Sequence, residues 1–189
     1  MRRYRSAIVL GLVIIFAAAC RARQPEPEYR PSTTIKDIMD SIVDPSADTL
    51  WESVKTVVTT AGVEEMAPQT DEDWKNVRRS AVRLVEATNL LLIPGRHVAR
   101  PGEKSENPGI ELGPEEIQHR IDADRSAWMA LAHGLHDAAL PAINAIEAKD
   151  ASRLFEAGAQ IDAACESCHR KYWYPEDVAS SIESRLKEQ

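Results

Sequence analysis

ASRLFEAGAQIDAACESCHRK, residues 151–171, is the stretch from which the rest of the chain is read. Asp150 stands where an N-cap is wanted, and Leu154, Ala157, Ile161, Ala164, Cys165 and Cys168 recur at helical spacing on one face. The pattern predicts an amphipathic helix from Ala151 to about Lys171, stopped by Pro175. Near its end, Cys165-Glu166-Ser167-Cys168-His169 spells C-x-x-C-H, the spacing of covalent haem attachment. Two thiols three residues apart on one helical turn can each reach a vinyl group on the same porphyrin edge. The next residue, His169, brings an imidazole under the iron as axial ligand. The expected cofactor is therefore one covalent haem c. Three other uses of the cysteines are open on sequence grounds. A thiol–disulfide redox pair prefers a helix N-terminus, whereas this pair sits near a C-terminus. A zinc site needs further ligands, and His97, His119, His133 and His136 form no convincing set. A structural disulfide is the third.

Outward from this helix the chain reads as three more long helical segments. The first starts at a Thr33 or Thr34 cap and runs to about Thr60, with Ile35, Ile38, Met39, Ile42, Val43, Leu50, Val54 and Val57 on its stripe. Pro45 should kink it, split it or restart it at a first turn. Residues 64–69 are expected as a loop, and Thr70 caps a second helix that stops at Ile93-Pro94-Gly95. A polar loop, residues 95–113, leads to a short helical piece from Pro114. The third long helix starts near Asp122 or Asp124 and should bend at Pro141. Strand signals are nearly absent. The expectation is an all-α chain, an antiparallel four-helix bundle over residues 33–175 with the haem-attachment motif at its C-terminal end. Residues 176–189 read as a charged tail. Trp51, Trp74 and Trp128 lie on helical stripes as core anchors, and Trp128, early in its helix, is the one expected to touch haem. His133 and His136 share a face but lack a third ligand.

The N-terminus carries a different message. Arg2, Arg3 and Arg5 precede an apolar run of 13 residues, Ala7–Ala19, too short for the ~20 residues of a spanning helix. This is a signal-peptide pattern, and Ala17-Ala18-Ala19-Cys20 resembles a lipobox whose cysteine is lipidated. Residues 1–20 are thus expected as an export signal. Residues 21–32, with Pro25, Pro27 and Pro31, are expected as an extended tether of about 35 Å. The expected location is the periplasm, membrane-anchored by lipid at Cys20. The formal charge is −7, and removing the three leader arginines takes it to −10. So acidic a chain excludes nucleic acid as a partner and favours a redox partner protein with a basic docking face.

A bundle with C-x-x-C-H near the end of its last helix resembles the cytochrome c′ family of class II c-type cytochromes. The resemblance covers roughly Thr33 to Pro175, and only the Cys165–His169 motif is highly specific. It implies a single-haem protein with no enzymatic role, and by analogy a possible homodimer. Tyr172 matches an aromatic residue common three positions after the family's haem histidine. Trp173 departs from the basic residue often found next, which speaks against a gas-binding role. In an up-down-up-down bundle Met39 and His169 lie at the same end. The resemblance implies that the residue at Met39's position covers the distal iron face, as a methionine in low-spin members. Met39 is accordingly expected as sixth ligand, with Met129 the runner-up, and the protein as an electron carrier. The alternative is a five-coordinate haem that binds nitric oxide or carbon monoxide.

Overall fold

Thr34 opens the ordered helices with a reciprocal cap. Its hydroxyl accepts the Asp37 N–H at 3.0 Å, and the Asp37 carboxylate accepts the Thr34 N–H at 3.0 Å. The computed structural model describes residues 28–60 and 62–175. The chain divides between Arg30 and Pro31 into two units, and every helix and strand named below belongs to the second. That unit is mainly helical, with one small sheet.

Helix α1, Ile35–Ile38, passes directly into a widened π-helical turn, Met39–Val43, and then into α2, Asp44–Ser53. Pro45 accounts for the widening. It has no N–H to give the Ser41 carbonyl, and its ring would strike that carbonyl in a regular α-turn. The Asp44 N–H reaches back five residues to the Met39 carbonyl instead. Pro45 itself sits in the first turn of α2, one of the outcomes its sequence position allows.

The helix expected to continue to Thr60 ends at Ser53. Lys55–Thr59 (β1) and Gly62–Met66 (β2) form an antiparallel pair, with Lys55 opposite Met66 and Val58 opposite Val63. Two expectations are corrected here: the helical reading of 54–60, and the loop reading of 64–69 over residues 64–66, while residues 67–69 are a loop. Thr56, Val57, Val58 and Thr59 are β-branched, which favours a pleated strand over a helix. Val54 and Val57 satisfied a helical spacing by coincidence. Gly62 sits at φ 139°, a value side chains rarely adopt, and so allows the chain to turn back.

Helix α3, Asp71–Leu91, begins at a second reciprocal cap, Thr70 with Asp73. Its C-terminal carbonyls, left without helical partners, are taken by side chains from further along the chain. Arg96 Nε donates to the Leu90 carbonyl at 2.9 Å, Trp128 Nε1 to Leu91 at 3.1 Å, and Arg125 Nη2 to Leu92 at 2.7 Å. The 95–113 loop in turn feeds the start of α1: the His97 and Val98 carbonyls accept the Ile35 and Lys36 N–H groups at 2.8 and 2.9 Å. Helix α4, Pro114–Ala123, and helix α5, Arg125–Glu147, come next, with Asp124 as the cap of α5. Helix α5 continues through Pro141. Lys149 at φ 52° makes the tight link to α6, Ala151–Tyr172, which Asp150 caps. Helix α5 packs on α3 and α6, and α2 packs on α3 and α6. Leu50, Leu84, Ile121, Leu154 and Ile161 are the largest apolar side chains fully enclosed between them. At Gly158 the α2–α6 contact is so close that a Cβ would lie 3.1 Å from Trp51 Cδ1, and Trp51 Nε1 donates to the Gly158 carbonyl at 3.0 Å.

Candidate haem site

A cavity of about 350 Å³ opens among α1, the π-turn, α2, α5, α6 and the 95–113 loop. This lies in the range of small-molecule and cofactor sites, ~300–1,000 Å³. Cys165, Cys168, His169, Met39 and Trp128 all line it, so every described residue expected at the site faces one space. Cys20 lies outside the described residues, as does the expected tail at 176–189.

Both thiols are free and half-buried. Burial pushes the Cys165 thiol up to about 11, reinforced by the carboxylates of Asp162, Asp44 and Glu166. Burial likewise pushes Cys168 up to about 12, with Cys165 adding to the effect. These thiols stay protonated at neutral pH. A thiol–disulfide pair works through a depressed pKa at a helix N-terminus, and both conditions are reversed here. Burial also holds His169 below the usual imidazole range and keeps the ring neutral, the form that can ligate a metal. Trp173 meets His169 edge to face at 4.9 Å, and the Tyr174 ring lies 5.9 Å away on another side. The C-terminal aromatic pair thus fixes the imidazole's surroundings. Tyr174 also donates its hydroxyl to Glu166, inside the motif.

Across the cavity, the π-turn carries Met39, Asp40 and Val43 into the lining. Met39 is half-buried and packs against the core. Trp128 is 3% exposed and stacks edge-on against Tyr172 at 5.3 Å. The Tyr172 hydroxyl, also buried, has no hydrogen-bond partner among the described residues. An orphaned buried hydroxyl is costly, by about 1–3 kcal/mol, and on a cavity wall it suits a bound group with acceptor atoms. The residues present therefore fit a haem. Two thiols and an imidazole share one wall, a thioether stands in the same space, and the lining is mostly apolar.

Other candidates fall away from this cavity. Met129 is 41% exposed and Met66 is 45% exposed on the hairpin, and neither lines the site. His97, His119 and His133 are exposed, and His136 lies against Asp137. No group of three or more His, Cys, Asp or Glu side chains placed to hold a metal ion occurs among the described residues. The same residues contain no helix long and apolar enough to cross a membrane.

Sequence reasoning missed the role of the 95–113 loop. Val98, Ala99, Ser105, Glu106 and Leu112 line the cavity, and the Leu112 N–H donates to the Trp173 carbonyl at 2.8 Å, tying the loop to the end of α6. Val98 and Leu112 were the signal, apolar residues in an otherwise polar stretch. The acidic residues beside Cys165 were also missed, because Asp44 and Asp162 meet only once α2 and α6 are packed.

No family model, curated protein or solved structure matches this chain.

Proposed function

We propose that the chain is a single-haem c-type cytochrome that carries electrons, with haem attached through Cys165 and Cys168 and ligated by His169 and Met39. The observation that carries this reading is the convergence of these four side chains on one largely apolar cavity. Bound there, the haem supplies a one-electron couple whose potential is set by its axial ligands and the polarity around it. The chain's part is to hold both thiols neutral until they bond, to present a neutral imidazole, and to exclude water with Trp128, Leu131 and Leu135. No acid–base pair is required for electron transfer, and the reading is of a carrier rather than an enzyme. The mutual packing of α2, α3, α5 and α6 in a closed ring supports an antiparallel four-helix bundle as the architecture. The chain is further read as an exported protein, held at a membrane surface in the periplasm by lipid at Cys20.

The test is covalent attachment. Wild-type protein produced with export should keep its haem through acid–acetone extraction and show haem staining on a denaturing gel. The Cys165→Ser/Cys168→Ser double variant should lose both. Retention of haem by that variant would overturn attachment at this motif.

A further inference from the structure

Helices α2 and α6 meet along a seam whose chemistry is not needed to hold a haem. On it lies a second hollow, of about 310 Å³, walled by Trp51, Val54, Phe155, Gly158 and Ala159 with Lys55 and Asp162 at its border. Phe155 is 57% exposed there, the only large apolar side chain so exposed among the described residues of α6. Trp51 lines both this notch and the main cavity. Asp162 also borders both, and Asp44 lines the main cavity from the α2 side.

The charges left unpaired on this seam are negative. Asp44 and Asp162 are exposed and have no ion-pair partner among the described residues. Their fields reach the Cys165 sulfur, together with that of Glu166. The bordering cations are already engaged: Lys55 pairs with Glu52, and Lys36 pairs with Asp40 at 2.7 Å and Glu106 at 3.1 Å. Arg170 stands 3.9 Å from Glu166, while Lys104 lines the cavity from the loop side.

We propose that this seam, the apolar notch around Trp51 and Phe155 bordered by Asp162, with Asp44 at the start of α2 on the adjoining main cavity, is where a basic redox partner protein docks. The proposal rests on the haem reading above and adds where electrons cross the surface. An apolar centre with unpaired carboxylates beside it, its bordering lysine already paired with Glu52, is the pattern of a transient interface that steers its partner. A second copy of this acidic chain would bring like charge onto Asp44 and Asp162, so the charge selects a basic partner instead. The partner would give up one electron and be oxidised by one unit, and the oxidised haem that Cys165, Cys168 and His169 would hold would take that electron up and be reduced. No bond forms or breaks and no proton moves. The indole of Trp51 borders both the docking notch and the cavity that Cys165 lines.

The test uses the full-length holoprotein in its oxidised state and, as donor, a small, strongly basic c-type cytochrome with lysines around its haem edge. Stopped-flow spectroscopy gives the bimolecular rate against ionic strength. The rate should fall steeply with salt. Asp44→Asn/Asp162→Asn should slow it about threefold to tenfold at low salt, and Phe155→Ser should slow it at all salts. The control Glu86→Gln/Asp137→Asn makes the same charge change at residues that line neither cavity, and should move the rate much less. An equal loss in the control, or a wild-type rate that rises with salt, would overturn the docking site while leaving the haem reading intact. A purified protein without haem absorbance would overturn both.

Discussion

Met39 carries the sharpest residue-scale consequence. Asp40 and Val43 from the same turn line the cavity with it, as do Cys168 and His169. A thioether in that position can ligate iron, and ligation raises the potential relative to two histidines. The packing role of the same side chain is modest, since it is only half-buried. Met39→Ala should therefore cost about 2 kcal/mol, the low end for such truncations, while changing the spectrum completely. The ferric wild type should be low-spin; the variant should be high-spin and, when reduced, should bind carbon monoxide. A wild type already high-spin would remove Met39 as ligand and shift the function to gas binding. His169 is set differently: Trp173 and Tyr174 surround the ring, and its neutrality comes from burial.

At the scale of elements, the π-turn sets the phase of α1 against α2. It exists because Pro45 cannot close an α-turn, and it adds one residue to the path between the two helices. Pro45→Ala restores the missing N–H. If the turn then tightens to a regular helix, everything before it rotates by about 100° relative to α2. Met39 would leave the cavity lining although no ligand has been mutated. The expected outcome is a protein less stable to urea, because Ile35 and Ile38 turn out of the core, and a ferric spectrum shifted toward high spin. An unchanged spectrum would mean that the turn's width is set by the cavity contacts rather than by proline. The contrast between elements also shows what sequence could carry. Helices α3, α5 and α6 were legible because each has a polar cap, Thr70, Asp124 or Asp150, before an apolar stripe. The β1–β2 hairpin was not, because Val54 and Val57 fit either period and tertiary packing decides between them. Within the site, Cys165, Cys168 and His169 are contiguous and so legible. Asp44, Asp162 and the loop residues Val98 and Leu112 come together only through long-range packing.

Across the whole molecule, the carboxylates that start the helices make stability depend on pH in one direction. Hydrogen bonds from the Thr34 backbone and hydroxyl hold the Asp37 carboxyl below its ordinary range, helped by Arg100. The Thr70 hydroxyl and backbone do the same for Asp73, the Ala127 N–H and Ser126 hydroxyl for Asp124, and the Lys149 ammonium for Asp71. A carboxyl whose folded pKa lies below its unfolded value favours the folded state only when ionised. Its contribution is complete above the unfolded value, about 3.9 for aspartate, and disappears as pH falls through the lower folded value. All four groups act with the same sign, so the melting temperature of the holoprotein should hold level from about pH 7 to 5 and then fall as these carboxylates protonate. These residues anchor α1, α3 and α5 and link α3 to Lys149 before α6, so the loss is spread over the helical framework rather than confined to the site. The variant Asp37→Asn/Asp71→Asn/Asp73→Asn/Asp124→Asn keeps an oxygen acceptor at each position but removes the charge. It should melt lower than wild type at neutral pH, and the two curves should converge in acid. Parallel curves down to the acid limb would show that other carboxylates, not these caps, govern acid unfolding.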